Sequence, residues 1–519
     1  MERRKFIKYT AATAALPFLF RGQWMNAVAH NSVFDIINEL NPDRKLVLVQ
    51  LNGGNDGLNM LIPISQYDNL ANARGNILVQ QSQILKLTDE TGLHPSMPEL
   101  TALYKDGKVQ FIQGVGYPNP NLSHFRSKDI LMSASDSNTV INSGWMGRLF
   151  GNNYPNYPVG YPNTQKPHPI ALTLGSTSSA ICQGDLANYS SVLTSLSSSY
   201  NSSASENTFP DTPSGNELRF ISNVMEQTES YLSVIKEAAA KAKNLSTLYP
   251  ASGQNTLADQ LKIVANLIGG GLQTQLYIVN LGGWDTHSGQ ATETDKLKGI
   301  QPDLMSKLSK AIAAFQDDLK LLNKANEVMG FVFTEFGRRI KSNDSFGTDH
   351  GTSWPAIIFG SKVNPAVIGQ NPAIATVVSK SDNLPLQYDF RSIYASIFKQ
   401  WFELPDQDIA QVLGKSFPEI QVVTKSTGVA QTDFADLDEL KLWPNPVQDN
   451  VQLSFESIGE PAQIKVYAMN GQLVESIGQQ QFPKGIQQIE LRLGHLRKGT
   501  YQLVVQQSNT RKTVRFVVI

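Results

Sequence analysis

Three apolar, β-rich runs in this chain end at polar tips, two of them glycine-rich, and that recurrence limits the fold more than any other feature. Residues 46–51 run into Gly53-Gly54-Asn55-Asp56, residues 275–281 into Gly282-Gly283-Trp284-Asp285-Thr286-His287, and residues 328–334 into Glu335. Helical spacing lies between them: Leu304, Leu308, Ala311 and Phe315 share one face of a helix expected within 295–323, and 219–251 and 255–269 read the same way. Strand, tip and helix in repeated order specify a layered α/β domain with a parallel sheet, whose apolar strands need helices on both faces. In such sheets ligand groups gather beyond the carboxyl ends of the strands.

Other segments feed the same edge. A short helix at 95–104 precedes a strand at 109–113, and if that strand is parallel to 46–51 the polar segment after it brings Ser123 and His124 beside Asp56. Asp349 and His350 sit in a polar loop before the apolar run 356–359, and Asp389 and Arg391 open a helical segment ending near Phe402. A helix start is expected at 144–149 and a strand at 170–175, while the serine-rich 191–205 reads as solvent-facing.

The chain has seven histidines, and three of them, His124, His287 and His350, fall in these tips. Together with Asp56, Asp285, Glu335 and Asp349 they form a metal-ligand inventory: imidazole and carboxylate suit zinc first, and calcium, magnesium or manganese if carboxylates dominate. Plainer chemistry exists for each. Asn55-Asp56 can form an Asx-turn, Asp285 can cap a turn, and Glu335 can pair with Arg338 or Arg339. Arg338 and Arg391 can bind an anion or close salt bridges, Arg391 with Asp389.

Composition narrows the function classes. Forty-four basic and 45 acidic residues leave a formal charge of -1, so nucleic acid is not an expected partner. A single cysteine, Cys182, excludes an intrachain disulfide and reads as a small buried hydrophobe. The basic start MERRKFIK and the apolar stretch to Phe20 predict an export signal over 1–29, with Ala27-Val28-Ala29 as peptidase-compatible residues and Arg3-Arg4 resembling a twin-arginine motif. No later run is long enough to span a membrane. A main domain is expected over 30–421 and an acidic linker over 422–440. From 441 onward, short alternating runs at 451–455, 462–467, 486–491, 501–506 and 513–518, with turns at Asn470-Gly471 and Lys498-Gly499, predict a small antiparallel β-sandwich.

The segments LNGGNDGLNMLIP (51–63), NLSHFR (121–126), GWMGRL (144–149), GGWDTH (282–287), TEFGR (334–338), TDHG (348–351) and DFRSIY (389–394) together resemble the DUF1501 family, which is grouped with alkaline-phosphatase and sulfatase-like folds. The resemblance implies a three-layer alkaline-phosphatase-like core, paired divalent metals and hydrolysis of phosphate or sulfate esters. Carried over, Asp56 resembles the first metal carboxylate, Asp349 and His350 the Asp-His metal pair, and Asp285 with His287 the other metal's ligands. No family nucleophile matches after Asp56; Ser123 beside His124 substitutes on chemical grounds, with His124 relaying a proton and Arg338 or Arg391 steadying charge. The tail, with LWPNP at 442–446, IKVYAMNG at 464–471 and a basic, β-rich end, resembles the type A sorting domain of the type IX secretion system of Bacteroidota. It implies type IX machinery as partner and a secreted or outer-membrane cell-surface location. Two functions are expected: a metal-dependent hydrolase of small-molecule or glycan esters, or a non-catalytic surface structural or glycan-binding protein that keeps the metal scaffold.

Overall fold

A computed structural model describes residues 40–424 and 440–518 apart from short breaks at 42, 155, 186, 197–208, 458, 469–471, 484 and 508–509, together with the strands Leu16–Phe20 and Gln23–Ala27. The remainder of the expected export signal, most of the linker and the Asn470-Gly471 turn lie outside the described residues. The chain divides into two compact units, Met1–Lys425 and Ser426–Ile519.

The central sheet of the first unit contains β1 (Lys45–Leu51), β2 (Val109–Gly116), β3 (Ala171–Leu174), β4 (Ser190–Leu193), β5 (Leu276–Leu281), β6 (Val328–Thr334), β7 (Trp354–Phe359), β8 (Val367–Ile368) and β9 (Tyr388–Asp389). Its order is β8-β2-β7-β6-β1-β5-β3-β4, with β9 also beside β2. β1 is fully buried, and its side chains alternate: Leu46 and Leu48 enter one core, Val47, Val49 and Leu51 the other. Helices Trp145–Asn153 and Phe390–Ser396 pack into the first core; Pro98–Lys105, Thr256–Gly269 and Ile300–Leu321 pack into the second. This is the expected three-layer α/β architecture. The sheet, however, is mixed. β7 runs antiparallel to both β6 and β2, so β2 is parallel to β1 across it, and the apolar run that forms β7 carries no mark of direction in its sequence.

Register decides where the tips go. Leu51 pairs with Leu281 on one side and Thr334 on the other, so the chain leaves β1, β5 and β6 at one level. Because β7 is reversed, the residues before Trp354 enter from that same edge, and the segment after β2 leaves there. Four connections from distant parts of the sequence therefore meet at one edge.

Some local expectations change. The helix read over 219–251 is Pro213–Lys241, capped by Thr212 through Gly215 N, and ends ten residues sooner. Ser190 and Ser191 are buried in β4, where the Ser190 hydroxyl pairs with Thr173 at 2.6 Å, so the serine-rich stretch begins inside the fold. Cys182 is buried. The second unit is a sandwich of a three-stranded and a four-stranded antiparallel sheet around Leu453, Ile464, Leu503 and Phe516. It includes a strand at Leu473–Gln481 whose glutamine-rich sequence lacks the alternation that reveals the others.

His94 offers a test of the main core. It has no exposed surface, its Nδ1 accepts a hydrogen bond from Ser96 N at 3.1 Å, and burial, partly offset by a backbone group of Lys296, lowers its pKa from 6.5 to about 4. The unfolded chain therefore binds the extra proton first as pH falls. The contribution of neutral His94 is complete above pH 6.5 and disappears toward pH 4, at a cost approaching about 3 kcal/mol. Urea unfolding of the wild type and of His94→Gln across this window should show the steeper acid loss in the wild type.

Candidate metal centre

The edge described above gathers His124, Asp285 and His350, whose ligand atoms all lie within 4.8 Å of one another. His287 joins them: its Nε2 is 2.9 Å from His350 Nε2 and 3.1 Å from an Asp285 oxygen. His124 is the first residue of the helix His124–Ser133, Asp285 and His287 follow β5, and His350 ends the short strand Thr348–His350.

The outer nitrogens of all three imidazoles are held. His124 Nδ1 lies 2.8 Å from Glu335 Oε1, His287 Nδ1 3.2 Å from Asp349 Oδ1, and His350 Nδ1 2.8 Å from the Leu122 carbonyl. Carboxylates and carbonyls accept, so each Nδ1 donates, and each neutral ring presents an Nε2 lone pair to the centre. His124 Nε2 is buried without a hydrogen-bond partner, and lies 3.5 Å from Asp285 Oδ2. Three lone pairs facing one carboxylate repel each other unless a proton or a cation lies among them, and the donor set, three nitrogens and one oxygen, fits a zinc-type ion.

Burial opposes ionisation of Asp285, but the hydrogen bond and the charge of the Arg338 guanidinium, with the adjoining imidazoles of His350 and His287, outweigh it and bring the pKa down to about 2. Burial is the largest influence on His350 and lowers its pKa, which favours the neutral ring against the pull of the Leu122 carbonyl and the Asp285 carboxylate.

Several residues singled out from sequence take other places. Asp56 does not join the cluster: it is 1% exposed, Arg74 Nη1 donates to both its oxygens at 2.8 and 2.7 Å, and Gln290 Nε2 donates to Oδ2 at 2.6 Å. Glu335 and Asp349 stand behind His124 and His287 rather than among the inward-facing donors. Arg338 is fully buried, and its nitrogens donate to Gly54 O, Thr348 O, Gly53 O and Asp285 Oδ1. With these acceptors it binds the tips together. Arg391 is likewise buried and paired with Asp389 and Asp136. Ser123 is exposed at the helix start and makes no capping bond through its side chain.

Gly53 explains why the first tip is glycine-rich. Its φ is +127°, a Cβ there would lie 2.3 Å from Asp285 N, and its own N–H donates to Glu335 at 2.9 Å. Thr334 donates to Leu51 O and accepts from Asn55 N, tying the β1 and β6 tips together. Arg339, read from sequence only as a pairing partner for Glu335, and Lys380, which had no role there, line an open cavity of about 540 Å³ with His287, Asp349 and His350. Arg339 is the second arginine of a pair already in view; Lys380 comes from a loop with no sequence signal.

Residues 43–413 match the family described as "Protein of unknown function (DUF1501)", and residues 441–519 match the "Secretion system C-terminal sorting domain". No curated protein matches the chain. Among solved structures, PorZ, a surface component of the type IX secretion system of Porphyromonas gingivalis, is similar at 21% identity and TM-score 0.13 over 19% of this chain, which spans 14% of PorZ's. A protein in the alkaline phosphatase superfamily from Vibrio parahaemolyticus is similar at 9% identity and TM-score 0.32, covering 81% of this chain and 76% of its own. Phosphonate monoester hydrolase from Silicibacter pomeroyi is similar at 9% identity and TM-score 0.31, covering 91% and 89%. Likenesses this low assign no role to any residue here.

Proposed function

The chain belongs to the DUF1501 family over residues 43–413, and we propose that it is a metal-dependent hydrolase of phosphate or sulfate esters. The observation that carries this reading is the convergence of three Nδ1-anchored imidazoles and Asp285 beside a cavity edged by Arg339 and Lys380. His124, Asp285, His287 and His350 would hold one divalent cation, zinc before calcium, magnesium or manganese because nitrogen donors outnumber oxygen. When bound, such an ion polarises an ester oxygen and lowers the pKa of water or of a nearby hydroxyl.

The chain's own groups supply the rest. Arg339 and Lys380 draw an anionic ester toward the imidazoles. Ser123, exposed and adjacent to His124, is the candidate nucleophile. Glu335 and Asp349 keep Nδ1 of His124 and His287 protonated, which holds the lone pairs on the inner side. A second cation is not part of this proposal, because Arg74 and Gln290 occupy the Asp56 carboxylate and the Arg338 guanidinium already neutralises Asp285.

That same pairing of Asp56 favours a second reading, a non-catalytic surface protein in which the ion only braces the loops. Hydrolysis of p-nitrophenyl phosphate, phosphonate and sulfate by protein loaded with zinc, manganese or calcium separates the two; metal bound stoichiometrically with no turnover of any ester would leave the second. Glu335→Gln keeps an acceptor near His124 but removes the charge, and titration should show metal affinity weakened by about 10–100-fold.

The sorting domain marks the chain as a protein secreted and attached to the cell surface or released, with the type IX secretion system as its machinery. No helix among the described residues is long and apolar enough to cross a membrane.

A further inference from the structure

A second cleft, of about 740 Å³, opens beyond the carboxyl ends of β1, β3 and β5, next to the imidazole cluster but separate from the cavity bearing Arg339 and Lys380. The two are joined by one helix face. His124 and Lys128 are four residues apart on His124–Ser133 and so project to the same side; Lys128 lines the cleft, and its ammonium lies 3.7 Å from the Glu335 oxygen that holds His124.

The lining of this cleft is dominated by uncharged polar side chains. Asn52, Ser176, Thr177, Ser178 and Asn280 present amides and hydroxyls, and among the described residues Lys128 and Asp259 are its one cation and one carboxylate. Gln50 Nε2 donates to Asn52 Oδ1 at 2.9 Å, which commits the amide oxygen and leaves the Asn52 NH2 as a donor. Among the described residues no aromatic side chain lines the space to give a nucleobase a stacking face, and apolar walls are confined to a few residues such as Met132 and Ile263, too little for a lipid tail. Many neutral two-way hydrogen-bonding groups with small apolar patches are the complement of a ring that carries several hydroxyls.

We propose that this cleft binds the sugar portion of the ester whose anionic group reaches the metal centre, so that the substrate class is a phosphorylated or sulfated saccharide. This rests on the hydrolase reading for the ester, but binding of the sugar itself needs neither metal nor turnover. The test therefore uses the full chain and neutral saccharides: maltose, cellobiose, lactose and chitobiose, followed by saturation-transfer NMR and calorimetry. At least one should bind to wild type and to His350→Ala alike, and Ser178→Trp, which fills the cleft from its loop, should weaken that binding by at least about tenfold. Ser176→Trp, at an exposed position, repeats the blockade should Ser178→Trp not fold. Glucose 6-sulfate should bind more tightly than glucose, and inorganic sulfate should be insensitive to either tryptophan. Absence of binding by every saccharide, binding unaltered by both tryptophan variants, or selective capture of a serine- and glycine-rich peptide in their place would overturn the assignment, whatever the outcome of the ester assays.

Discussion

The His350→Ala variant is expected to purify without its divalent ion and to hydrolyse no ester above background, while melting close to the wild type once both are stripped of metal. His350 is the junction of the centre: its Nε2 lies 2.9 Å from His287 and 3.2 Å from Asp285, and its ring packs on His124, His287 and Phe336. Its removal takes away one nitrogen donor and also the edge contact that orients the other two rings. The loss of zinc affinity should exceed the range of about 10–100-fold that follows from disturbing an outer partner such as Glu335. The fold should tolerate the change because the side chain is part-exposed and the cores are built elsewhere. Metal content by mass spectrometry, read beside the melting curve, separates the two effects. Full metal retention in a folded His350→Ala protein would remove the centre from the mechanism.

How far the sequence foretold this site follows from which interactions are local. The tips after residues 51, 281 and 334 were legible because a short apolar run that stops at glycine and polar residues marks a strand end, and strand ends in one sheet share a level. His124 was reached through the same rule, and the reversed β7 preserved its position. The side from which a carboxylate approaches an imidazole was not legible. Glu335 and Asp349 sit near the right histidines in sequence and in space, but a bond to Nδ1 rather than a place beside Nε2 is settled by rotamers that no spacing encodes. The amide- and hydroxyl-lined cleft was equally hidden, since Asn52, Ser178 and Asn280 come from three separate strand ends and none has a distinctive chemistry alone.

Asp56 is bound to a partner the sequence did not reveal, and Asp56→Ala should cost about 3–5 kcal/mol of stability in urea unfolding while leaving metal content unchanged. An aspartate in a glycine-rich tip has the look of a ligand until its partner is known, and that partner, Arg74, lies 18 residues on, at the end of the helix Tyr67–Arg74. The pair is buried on both sides, and Arg74 is fixed further by the carbonyls of Ile340 and Arg339 at 2.8 and 2.6 Å. Removing the carboxylate therefore strands a guanidinium that cannot swing to water, and the energetic loss is that of an unpaired buried charge. If Asp56 instead held a second cation, the variant would lose metal and keep most of its stability. Asp56→Leu combined with Arg74→Met replaces the pair with apolar volume; recovery of much of the lost stability, with metal still bound, would assign Asp56 to the architecture of the loop edge and leave His124, Asp285, His287 and His350 as the donors.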